Sequence, residues 1–92
     1  METTKKQKVV WDGYEIALSR YDAGNYEGAL TLLLNADEDG HASPHILELI
    51  AAIYFDIEMY RYSVEYWLRY LSIVSRADCK AKAYNALAAC YC

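Results

Sequence analysis

Nowhere in the 92 residues is there an unbroken apolar run of 18, so no helix long enough to cross a bilayer is expected. Basic charge is scarce as well. Nine Lys and Arg stand against thirteen Asp and Glu, a net charge of −4, and phosphate binding needs a basic face. The one basic cluster, Lys5, Lys6 and Lys8, lies in a polar N-terminal stretch with no apolar run after it that would suit a signal peptide. A cytoplasmic protein that binds neither nucleic acid nor membrane is therefore expected. Cysteine is sparse and odd in number. Cys79, Cys90 and Cys92 make a poor disulfide framework, and the CxC at the end has no histidine beside it to complete a zinc site.

Catalytic signatures are missing too. There is no HExxH, no GxSxG and no glycine-rich phosphate loop, and every Cys lies far in sequence from His41 and His45. The two histidines are four residues apart with Glu48 three further on, but Pro44 between them sets a helix start that leaves His41 in the preceding loop. No metal, no cofactor and no enzymatic activity are expected.

What the sequence does contain is apolar and aromatic surface. Apolar residues make up 55% of the chain while charged residues, at 24%, are spread along it, a balance that argues against disorder. Ten tyrosines dominate the aromatic set, and Tyr packs its ring while its hydroxyl reaches water or a partner. Few breakers interrupt the pattern. They are Gly24-Asn25, the polar run from Asp37 to Ser43, a turn near Glu58-Met59 that carries no Gly, and Ser75 to Asp78. Ser43 followed by Pro44 reads as an N-cap and a first helical residue, and Asp78 as a second candidate N-cap.

Between these breaks the apolar residues keep helical spacing. Val10, Gly13, Tyr14, Ala17, Leu18 and Tyr21 form one stripe, and Ala29, Leu30, Leu33 and Leu34 the second. The third is Leu47, Ile50, Ala51 and Tyr54, the fourth Val64, Trp67, Leu68 and Leu71, and the fifth Tyr84, Leu87, Ala88 and Tyr91. The pattern predicts an all-α chain of five helices near 7–23, 26–35, 44–56, 60–75 and 78–91.

The chain also repeats. The shift that places Ile16 on Ile50 also places Ala17 on Ala51, Asp22 on Asp56, Tyr26 on Tyr60 and Leu34 on Leu68. A second, slightly longer shift places Ile50 on Leu87, Ala51 on Ala88, Ala52 on Ala89 and Tyr54 on Tyr91. A period of about 34 residues with two helices per unit resembles the tetratricopeptide repeat (TPR) family. The family pattern meets Leu47, Ile50, Ala51, Tyr54, Ser63 and Trp67 in the second unit and Gly13, Ile16, Ala17, Arg20, Ala29 and Leu33 in the first. Tyr84, Leu87, Ala88 and Tyr91 open a third unit, and the family's closing Pro is absent, with Ser75 in its slot.

The resemblance implies a TPR-like α-solenoid of antiparallel hairpins with a right-handed superhelical twist. It implies units at 10–43 and 44–77 and a half unit at 78–92, after a polar extension at 1–9 that partly joins the first helix. Small residues Ala17, Ala51 and Ala88, with Ala29 and Ser63 opposite, would allow close helix crossings. It also implies a non-catalytic adaptor or scaffold whose concave groove binds a peptide or protein. The family's groove slots fall on Trp11, Tyr14, Leu18, Tyr21 and Asp22, then on His45, Glu48, Ala52, Phe55 and Asp56, then on Lys82, Asn85, Ala89 and Cys92. Aromatics interleaved with carboxylates favour an apolar peptide carrying Lys or Arg. Gripping a peptide's C-terminal carboxylate, as co-chaperone members do, is not expected, because those slots read Tyr14, Leu18, Leu49, Lys82 and Ala86 and only Lys82 suits the role.

Two alternatives stay open. One is self-association as a homodimer through the last helix, whose Tyr84 and Tyr91 would be left uncovered while Leu87 and Ala88 pack inward. The other is a fragment of a longer TPR-type regulatory protein or chaperone.

Overall fold

The computed structural model describes residues 13–40 and 43–91. Among these the chain is all helical, with α1 at Gly13–Asp22, α2 at Tyr26–Glu38, α3 at Pro44–Asp56, α4 at Tyr60–Ile73 and α5 at Ala77–Tyr91. The part of the first helix expected over residues 7–12, the extension at 1–9, Trp11, His41 and Cys92 lie outside the described residues. Two compact units divide the chain, Met1–His41 and Ala42–Cys92. Within the first, α1 packs on α2; within the second, α3 packs on α4 and α4 on α5.

Each helix begins or ends where local chemistry requires. Asn25 caps α2 by accepting from the Gly28 N–H at 3.0 Å. Ser43 caps α3 from an extended backbone, accepting from the Ile46 N–H, with Pro44 at the first helical position. Helix α2 continues to Glu38, past the expected end at 35. Ala36 is buried, which holds that turn in place, and the Asp39 N–H reaches back to the Asn35 carbonyl. The polar composition of Asp37 and Glu38 suggests loop, but polar residues suit the outer side of a last turn. Helix α4 ends at Ile73, short of the expected 75, where Val74 turns extended. Asp78 lies inside the first turn of α5 and does not cap it; its carboxylate accepts from the Cys79 N–H and pairs with Arg76 at 3.1 Å.

The two hairpins turn in the same way, at positions that the sequence shift of Ile16 onto Ile50 also aligns. In the first, Ala23, Gly24 and Asn25 donate their N–H groups to the carbonyls of Ser19, Tyr21 and Arg20 at 3.1, 3.0 and 2.8 Å. In the second, Ile57, Glu58 and Met59 donate to Ile53, Phe55 and Tyr54 at 3.0, 3.0 and 2.8 Å. The bond from Asn25 to Arg20, and its counterpart from Met59 to Tyr54, mark a Schellman-type helix end. It needs one left-handed residue, which is Gly24 at φ +87° in the first turn and Glu58 at φ 65° in the second. A ring pair braces each turn at equivalent positions, Tyr21 with Tyr26 at 5.4 Å and Phe55 with Tyr60 at 5.2 Å.

Small residues sit at the heart of each hairpin. Ala17 and Ala29 are fully buried in the first, and Ala51 and Ser63 in the second. The Ser63 hydroxyl, with no water to meet, donates to the Ala51 carbonyl at 2.8 Å. Around that crossing Leu47, Trp67, Tyr70 and Ala83 close a core shared by α3, α4 and α5, with Leu71, Val74, Cys79, Ala86 and Leu87 partly buried against it.

Two expected stripes face differently. On α4, Leu68 is 52% exposed and Tyr70 takes the inward place, because the buried side runs Ser63, Trp67, Tyr70. On α5, Ala83 is buried and Leu87 packs inward as expected, but Ala88 is exposed. Trp67 and Tyr70 already fill the space over α3, so α5 approaches on its small side and turns its tyrosines outward. No helix among the described residues is long and apolar enough to cross a membrane.

Candidate functional site

A concavity of about 190 Å³ opens on the second unit, lined by Ala52, Phe55 and Asp56 of α3, Trp67 of α4, and Ala86 and Ala89 of α5. Its construction follows from residue size. Ala52, Ala86 and Ala89 leave room where larger side chains would close the gap between α3 and α5. Trp67, almost wholly buried, gives the hollow an apolar floor. Phe55 stands at the edge, 37% exposed, held edge-on by Tyr60. Asp56, the last residue of α3, is exposed and adds the one carboxylate of the lining.

Beside the hollow, Lys82 of α5 donates to the Glu48 carboxylate of α3 at 3.0 Å. The hydrogen bond and charge of Glu48 raise the Lys82 ammonium above its ordinary range. Both side chains are substantially exposed, so the pair aligns two helices more than it stabilises them.

Behind the same core, Tyr70 is buried and hydrogen-bonded to the Cys79 thiol, and burial, then that bond, push its phenol up to about 12. Tyr54 lies stacked between Tyr62 and Tyr66, with Arg69 over the Tyr66 ring, on the α3/α4 hairpin.

The expected site residues fall as follows. Phe55 and Asp56 lie together in the hollow, and Glu48 and Lys82 are joined beside it. Asn85 is exposed on α5 but is not part of the lining, and His45 is exposed in the first turn of α3. In the first unit Tyr14, Leu18 and Tyr21 are half-buried and Asp22 is exposed on α1. Tyr84 and Tyr91 are 60% and 76% exposed. The spacing of α4 makes Trp67 a core position, and the structure shows it lining the hollow as well; residue type carries no signal for that second role. No group of three or more His, Cys, Asp or Glu able to hold a metal ion occurs among the described residues. Compared with protein-family models, curated proteins and solved structures, the chain matches none.

Proposed function

We propose that this chain is a non-catalytic, TPR-like protein-interaction module that binds a peptide or protein segment through the α3/α5 side of its second unit. The observation that carries the proposal is the apolar hollow of about 190 Å³ with an exposed aromatic and a carboxylate on its edge. That volume suits one large apolar side chain, since a cavity of roughly 150 Å³ accepts a benzene ring. A Lys or Arg next to that anchor would sit by Asp56, giving orientation and on-rate more than raw affinity. The matching Schellman turns, ring pairs and small-residue crossings of the two hairpins support the repeat reading on which the groove assignment rests.

The test is selection from a random-peptide display library, followed by amide chemical-shift mapping with the winning peptide. Winners should combine a bulky apolar residue with a neighbouring Lys or Arg, and the shifts should centre on Ala52, Phe55, Ala86 and Ala89. Shifts confined to surfaces away from these residues would reject the site.

A further inference from the structure

We propose that two copies of this chain associate through α5, packed antiparallel so that Tyr84 of one copy lies against Ala88 of the other. Ala77, Ala81, Tyr84, Ala88 and Tyr91 are all exposed. They are spaced alternately by four and three positions, the seam that lets one helix pack along another. The counterparts of Tyr84, Ala88 and Tyr91 in the preceding repeat are Leu47, Ala51 and Tyr54. In the second unit that face is covered by α4: Leu47 and Ala51 are buried with Trp67 and Tyr70, and Tyr54 stacks on Tyr62 and Tyr66. A face of this pattern is therefore one on which a helix packs in this same molecule.

The order of sizes selects the occupant. In a parallel, in-register pair every Tyr would meet a Tyr and every Ala an Ala. Reversing one copy about the point midway between Tyr84 and Ala88 sets Ala81 opposite Tyr91, Tyr84 opposite Ala88, and the same two layers again by symmetry. Every layer then pairs one large and one small side chain, a self-complementary surface of the kind a two-fold axis requires.

Charge is compatible with the same orientation. Tyr91 shares a concavity of about 340 Å³ with Arg61 and Glu65 of α4, so a charge of each sign lies at that end of the seam, and Glu65 is the one that can meet a cation. The reversed copy brings its exposed Lys80, next to Ala81, to that end. The area sets the size class of the contact. Four tyrosine rings of ~200 Å² each, exposed as found, hide roughly 500–600 Å². Alanines and flanking residues bring the total to about 1,000 Å², the lower limit for a specific contact, so the dimer is weak.

Sedimentation equilibrium over roughly 10 μM to 1 mM, the range for a contact of that size, should show the mass rising from one chain to two. Ala88→Arg should abolish the rise while helix content by circular dichroism stays unchanged, because Ala88 is exposed. Y84A and A88Y should each weaken self-association at least tenfold, one by opening gaps and the other by opposing two rings. Mixing them should restore association, since each Tyr again faces an Ala. Zero-length carbodiimide coupling of the wild-type dimer should join Lys80 of one copy to Glu65 of the other. A monomer at the highest concentration, or a mass increase that survives Ala88→Arg, would overturn the proposal. A dimer without that cross-link would overturn its antiparallel orientation.

Discussion

The hairpin of α1 and α2 and the hairpin of α3 and α4 reach the same turn by different means. In the first, Gly24 takes the left-handed conformation without steric penalty, and the Asn25 side chain caps the next helix. In the second, Glu58 takes that conformation against its own Cβ, and Met59 provides no side-chain cap. The crossing differs in the opposite sense: two alanines in the first hairpin, Ala51 with a hydrogen-bonded Ser63 in the second. Local chemistry specifies the first turn. The second is imposed by packing, with Leu47, Trp67, Tyr70 and Ala83 enclosing the crossing and the Phe55–Tyr60 ring pair beside the turn.

The largest test of this contrast is at the crossings. Ala51→Leu should destabilise the protein by roughly 1–3 kcal/mol, because a larger side chain is forced into a close helix contact. Ala17→Leu should cost a similar amount in the first hairpin, where Ala17 is also fully buried. Thermal melts of both variants check this, and an unchanged midpoint in either would remove its alanine from the close-contact role.

A pH effect should belong to the second hairpin. The folded state holds the Tyr70 phenol neutral up to about 12, against 10.0 for a free tyrosine. A raised acid pKa gives stability that is complete below pH 10 and is lost as pH climbs from there toward 12. Tyr70→Phe should flatten that alkaline loss in urea titrations run across the window. An equally steep loss in the variant would assign it to other groups.

Smaller effects sharpen the comparison at the turns. Gly24→Ala should cost about 1–2 kcal/mol, the left-handed penalty for an L-residue, since a Cβ there meets no neighbour and no clash adds to it. Glu58→Gly should do the reverse and stabilise by roughly 0.5–1 kcal/mol, reduced by the extra freedom glycine gives the unfolded chain. Chemical denaturation of the pair measures both signs. Two changes of the same sign would mean that the turns are not equivalent.

The same contrast explains what could be read from the residues alone. The first turn is legible because Gly and Asn sit where a helix end needs them, and α3 is legible from Ser43 and Pro44. The second turn can be placed but not shaped, because nothing about Glu58 announces a positive φ. The buried side of α5 differs from expectation at Ala88 because the helix turns Ala83 to Trp67 and Tyr70, with Cys79, Ala86 and Leu87 beside it, and that face leaves Ala88 outside. In the site, Phe55 and Asp56 are legible from their position on α3. The hollow beside them is not, since it is made of absence: three alanines over a nearly buried Trp67.

That hollow is the centre of the functional account, and filling it tests the account most directly. The affinity of a library-selected peptide should be compared, by isothermal titration, between the wild type and Ala89→Arg, a change at an exposed position of the lining. Affinity should fall at least tenfold with an unchanged melting temperature. Equal affinity for the two proteins would contradict it.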